Sequence, residues 1–190
     1  MEPAWTGVRI DARQLTVLAH PLRARLLGLL RVDGAATATR LADRLGTNTG
    51  ATSYHLRQLA EVGLVVEEDR PGSGRQRWWR AAQDRHSIIA GDFAGDPDAQ
   101  ASLDWINDFY AAEQARWAAR WRAEEKDWPA EWRAAVTRND YLLNLTPEQV
   151  RALNEEVDAL MNRYRAMPAD DGAEKVLVYY ENFPWVGEPS

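Results

Sequence analysis

The stretch from residue 38 to residue 64, ATRLADRLGTNTGATSYHLRQLAEVGL, constrains the fold more than any other part of the chain. Leu41 and Leu45 lie four apart and predict a short helix, with Thr37 or Thr39 as its cap and Gly46 as its stop. Asn48 is a good cap for a second helix, in which Thr52, Leu56, Leu59 and Val62 share one face. Gly63 followed by Leu64 ends that helix with the usual apolar contact. Only Gly46, Thr47 and Asn48 separate the two, a length and chemistry that join helices across a tight turn.

The flanking sequence adds to this unit. Asp11 caps a helix carrying Leu15 and Leu18, which should end before His20-Pro21, because a residue preceding proline is pushed out of the α region. Pro21 opens a further helix with Leu22, Leu26, Leu29 and Leu30 at helical spacing. After Leu64, LVVEEDRPGSGRQRWWRA holds two runs of strand-forming residues around Pro71, Gly72 and Gly74, which predicts a β-hairpin. Trp78 and Trp79, adjacent on its second strand, must point to opposite faces. A hairpin directly after two such helices is a wing.

Residues 91–101, GDFAGDPDAQA, are rich in Gly, Asp and Pro and read as a linker. A long helix is expected from about Ser102 to Lys126, with a break at Trp128-Pro129. YLLNL and KVLVYY are strand candidates. Between them Thr146-Pro147-Glu148-Gln149 makes a strong helix start, and Val150, Leu153, Val157, Leu160, Met161 and Tyr164 form one apolar stripe behind it. The expected fold class is mainly α with small β elements (α+β). Residues 1–90 form a winged helix-turn-helix, 91–101 a linker, and 102–190 a helical dimerisation or effector domain with short strands. Two strands alone make no stable sheet, so that domain needs a helix beneath them or a second subunit.

The helix after Asn48 keeps Thr49, Gly50, Ser53, Tyr54 and Arg57 opposite its apolar face. The major groove of B-DNA admits one α-helix, and short or forked polar side chains read its base edges. Asn48, Thr49, Gly50, Ser53, Tyr54 and Arg57 are therefore the candidate reading residues, while Arg75 and Arg77 on the wing suit the flanking backbone. The charge distribution agrees. Residues 1–85 carry 13 Arg against 9 acidic residues, a net of +4, while residues 86–190 carry 10 basic against 20 acidic residues, a net of −10, within a chain of net −6. The alternative is a winged helix that docks a protein partner.

Other chemistry finds little support. With no cysteine, thiol nucleophiles, thiolate metal sites and disulfides are excluded. No P-loop, dinucleotide glycine pattern or G-x-S-x-G occurs, so no enzyme activity and no cofactor are expected. Asp84 with His86 is the nearest thing to a metal pair and falls short of a full ligand set; His20 and His55 read as hydrogen-bonded structural histidines. No apolar run is long enough for a membrane span and the N-terminus lacks the order of a secretory signal, which places the protein in the cytoplasm.

LAHPLRARLLGLL, TATRLADRLG, ATSYHLRQLAEVGLV and GRQRWWRA together resemble the winged helix-turn-helix of ArsR-type (arsenic-repressor-like) bacterial transcription regulators, over about residues 10–85. The resemblance is to longer members with an extra C-terminal domain. It implies a homodimer on a two-fold-symmetric DNA operator, a repressor released by an effector. Metal-sensing members carry a cysteine pair in the helix matching TATRLADRLG, and none stands here, so the implied effector is organic. Five of the nine tryptophans, Trp105, Trp117, Trp121, Trp128 and Trp132, fall in one helical region. They are either a core stripe or the lining for a small aromatic or cationic organic effector.

Overall fold

A computed structural model describes residues 7–70 and 76–187. Its contacts divide the chain into two units, the first ending at Asp140 and the second starting at Tyr141.

The first unit is built on helices. α1 (Ala12–Leu18) starts with a capping box between Asp11 and Gln14, and α2 (Pro21–Asp33) starts at His20, whose side chain accepts the Leu22 amide proton. α3 (Ala38–Leu45) is capped by Thr37, and α4 (Thr49–Glu61) by Asn48, whose side-chain oxygen accepts the Ala51 amide proton at 2.8 Å. Gly46 takes φ +62° at the end of α3. α4 stops at Gly63 (φ +71°), where the Leu64 amide donates back to Leu59 at 3.0 Å and the Leu64 side chain is fully buried. These are the stops that the two glycines predict.

β3 (Val65–Glu68) and β4 (Trp78–Ala81) pair antiparallel, with Glu67 opposite Trp79 and Glu68 opposite Trp78. On the other edge of β4 lies β2 (Ala36–Thr37), giving a three-stranded sheet in the order β2-β4-β3. β1 (Gly7–Arg9) runs parallel to β5 (Arg85–Ser87). Neither β1, β2 nor β5 is expected from the sequence, since two or three residues carry no readable alternation. Trp79 enters the core while Trp78 lies between the guanidinium groups of Arg40 (4.8 Å) and Arg70 (4.2 Å), so the pair does split across the sheet.

The expected linker at 91–101 is corrected. A 3-10 turn spans Ala90–Phe93, the Phe93 ring is buried in the main core, and α5 (Pro97–Glu124) has already begun, with Ala99 buried as well. Asp96 caps α5 by accepting the Asp98 and Ala99 amide protons, so the Gly-Asp-Pro composition records a helix start and not a free tether. α5 is part of the first unit: Leu103 and Ile106 join the same core as Leu15, Leu26 and Leu59. Buried Glu113 accepts from Arg25 of α2 at 3.3 Å and also pairs with Arg116. After a 3-10 turn at Glu125–Asp127, α6 (Ala130–Ala135) closes this unit beyond the Trp128-Pro129 break.

The second unit contains α7 (Pro147–Arg165), started by the expected capping box between Thr146 and Gln149. Neither YLLNL nor KVLVYY forms a strand among the described residues, and the side chains of both runs are exposed. Their alternation is real, but neither run joins the strand order of either sheet among the described residues.

Candidate nucleic-acid interface

α4 is anchored by its inner face, on which Thr52, Leu56 and Leu59 are fully buried. The Thr52 hydroxyl donates to the Asn48 carbonyl at 3.1 Å, which satisfies the one polar group on that face. Its outer face therefore points to solvent, carrying Thr49, Gly50, Tyr54 and Arg57. Tyr54 is 53% exposed, and the Arg57 guanidinium donates back to the Ser53 carbonyl at 3.1 Å, which folds it along the helix. At Gly50 an added Cβ would sit 3.3 Å from the Asn48 oxygen that holds the cap, a local reason for glycine beyond backbone access.

Ser53 and Arg57 form one wall of a groove of about 300 Å³. The start of α3, through Thr39, forms its second wall, and Gln76 with Arg77 at the base of the wing forms the third. Thus the consecutive helices α3 and α4 and the foot of the wing converge on one concave strip lined by two arginines and several hydroxyl or amide groups. Of the expected residues, Asn48 sits at the cap, Thr49, Gly50, Ser53, Tyr54 and Arg57 follow along α4, and Arg77 lines the groove with Ser53 and Arg57. Arg75 lies outside the described residues. Thr39 and Gln76 are the additions that sequence reasoning missed, because no periodicity relates the start of α3 to the foot of the wing.

The acids of β3 do not lie apart from the wing arginines. Arg77 pairs with Glu67 at 3.2 Å, and Arg70 and Arg80 pair with Glu68 at 2.6 and 3.8 Å. Arg77–Glu67 and Arg80–Glu68 reach across from the β4 side to β3 while Arg70–Glu68 is local to the end of β3, and in solvent each pair is worth little. A phosphate can replace the carboxylate at small cost.

Two histidines lie behind the interface. The His20 and His55 rings stack at 4.4 Å with a tilt of 37°, and the Tyr54 ring meets His55 edge-on at 5.2 Å. His20 is bonded through Nδ1 to the Leu22 amide, as expected, whereas His55 Nδ1 is buried without a partner. Burial lowers the pKa of both, and the charge of Arg23 lowers it further. His86 is half-buried between α2 and α5: Nδ1 accepts from Arg31, and Nε2 meets the Tyr110 hydroxyl at 3.2 Å. With both ring nitrogens engaged, it is no metal ligand with Asp84. Burial and the neighbouring guanidinium push its pKa down to about 3.

The five tryptophans are spread along α5 and on to α6. Trp105 stacks on Phe109 at 5.2 Å beside the core, and Trp117 is 41% exposed. Trp121, Trp128 and Trp132 pack ring to ring at 5.6 and 5.9 Å, holding the α5–α6 corner and leaving no slot between adjacent rings.

Comparison with known proteins bears on the α2–β3 stretch. Residues 18–68 match the helix-turn-helix domain family. These residues are a helix-turn-helix domain. With the β3–β4 hairpin as its wing, this places the chain among the DNA-binding transcription regulators of the winged helix-turn-helix class. Among solved structures, the chain is similar to one described as a possible transcriptional regulator for arsenical resistance, with 34% identity over 56% of this chain and 94% of that one, at a TM-score of 0.33. It is also similar to an apo mutant of ZitR from Lactococcus lactis (12% identity, 77% and 83% covered, TM-score 0.35). A mutant MarR from E. coli complexed with operator DNA gives 16% identity, 78% and 84% covered, and a TM-score of 0.32. No curated protein matches. No described helix is long and apolar enough to cross a membrane.

Proposed function

We propose that the protein is a cytoplasmic, sequence-specific repressor of the ArsR-like kind, which binds a two-fold-symmetric operator as a homodimer. In this reading α4 enters the major groove, with Asn48, Thr49, Gly50, Ser53, Tyr54 and Arg57 facing the bases. Arg57 forks onto a guanine, and Arg77 with Arg75 holds the flanking phosphates. The observation that carries the reading is the groove shared by α3, α4 and the wing foot, which Arg57 and Arg77 both line beside a helix whose apolar side is fully buried. A duplex backbone is a polyanion, and a strip with two arginines among hydroxyl and amide groups matches it. Release by a small aromatic or cationic organic effector completes the proposal. Such a ligand would have to part the rings of Trp121, Trp128 and Trp132, which tryptophan fluorescence would register.

One observation favours the other reading, a protein-docking winged helix: Arg77 pairs with Glu67, and Arg70 and Arg80 share Glu68, so much of the wing's described positive charge is offset. Selection of bound duplexes from a random pool, followed by a gel shift against salt, separates the two. A repressor of this kind selects a palindrome with half-sites about one helical turn apart and loses affinity steeply with salt. Absence of any selected sequence, with binding indifferent to salt, would leave the docking reading in its place.

A further inference from the structure

The register of β2 on β4 brings an arginine of α3 onto a tryptophan of the wing. Thr37 stands opposite Trp78 in that pairing, and Thr37 is also the cap of α3, accepting the Arg40 amide proton at 3.3 Å. Arg40 is thus the third residue of α3, next to Thr39, which lines the groove, and its guanidinium lies 4.8 Å from the centre of the Trp78 ring. The Arg70 guanidinium lies 4.2 Å from the same ring centre and also pairs with Glu68. Among the described residues no carboxylate pairs with Arg40, which is exposed.

The difference between a ring and a carboxylate as partner is chemical. A carboxylate takes the N–H edge of a guanidinium, the same edge that a phosphate needs, and an aromatic ring takes the flat face and leaves the N–H fork open. Arg77 gives its edge to Glu67, Arg80 to Glu68 and Arg57 to the Ser53 carbonyl. Arg40 is held in place without being neutralised. In a helix-turn-helix docked through its second helix, the first crosses the sugar-phosphate backbone, and α3 is that first helix.

We propose that Arg40 contacts a backbone phosphate of DNA and that Trp78 is its positioning residue, fixing the guanidinium before the duplex arrives. A long side chain already ordered by stacking loses less rotamer freedom on binding. The proposal rests on the DNA reading above and adds to it a contact from α3, outside α4 and the wing arginines.

The test titrates the full-length protein with a fluorescent duplex of random sequence, about 30 base pairs long, across a range of salt concentrations, because a phosphate contact needs no particular bases. Arg40→Ala should lower the slope of log K against log salt by about 0.9, the value for one phosphate on B-DNA, which makes binding about 8-fold weaker at about 0.1 M salt if the two proteins agree at about 1 M. Arg120→Ala removes the same charge from α5 and should leave the slope as in wild type. Trp78→Leu should weaken binding about 2- to 5-fold, Trp78→Phe should restore it, and Trp78→Leu should cost nothing further in the Arg40→Ala background. A slope unchanged by Arg40→Ala overturns the proposal. An equal loss from Trp78→Leu with and without Arg40 overturns the positioning role. If wild type binds no duplex even at low salt, the DNA reading itself falls and this contact with it, whereas salt-dependent wild-type binding that ignores Arg40→Ala removes this contact alone.

Discussion

His86 should make the stability of this protein sensitive to mild acid. In the native state its Nδ1 accepts a proton from Arg31, so neutral His86 carries its own proton on Nε2, toward the Tyr110 hydroxyl. Protonation of Nδ1 would set two cations against each other at a half-buried site. Its native pKa is down at about 3, against 6.5 for an ordinary histidine. The depressed pKa fixes the sign: above pH 6.5 neither state binds the proton and the full stability is present, whereas as pH falls from 6.5 toward 3 only the unfolded chain takes it up. At about 1.4 kcal/mol per pH unit, the loss between pH 7.5 and 5.0 is about 2 kcal/mol, and the limit near pH 3 is about 5 kcal/mol. Urea unfolding at the two pH values measures it. With an m-value of about 2 kcal/mol/M, the midpoint should fall by about 1 M from this residue. His20 and His55, also depressed, add losses of the same sign, so the diagnostic quantity is the difference between wild type and His86→Gln. If both lose the same stability on acidification, or if NMR titration puts His86 above pH 6, the reasoning about this buried pair fails.

Three further outcomes follow from the packing and the groove. Phe93→Ala should cost about 3–5 kcal/mol in chemical unfolding, because the ring is core, while a residue in a free linker would cost under about 0.5. Arg57→Ala should weaken specific DNA binding by about 1–3 kcal/mol, and Glu67→Ala, by freeing Arg77, should tighten binding and steepen its salt dependence by up to about one unit; both are read by gel shift at several salt concentrations. Thr52→Val should lower stability by about 1 kcal/mol, since the valine cannot replace the hydroxyl's bond to the Asn48 carbonyl, as thermal unfolding would show.

Local chemistry wrote the helices into the sequence. Asp11, Thr37, Asn48 and Thr146 as caps, with Gly46 and Gly63 as stops, act within a few residues of themselves, and so does the 3.6-residue spacing of Leu56 and Leu59. The polar face of α4 was legible for the same reason: once Thr52, Leu56 and Leu59 turn inward, Tyr54 and Arg57 have nowhere else to point. Contacts between distant segments decided the rest. That β2 lies beside β4, that Phe93 and α5 complete the core of the first unit, that Arg31 meets His86, and that Thr39 and Gln76 share a groove with Arg57 all depend on segments meeting across tens of residues. The same physics explains the two failed strands, YLLNL and KVLVYY. Alternation makes a segment fit to pair, but pairing also needs a second strand within reach, and that lies in no single window of sequence.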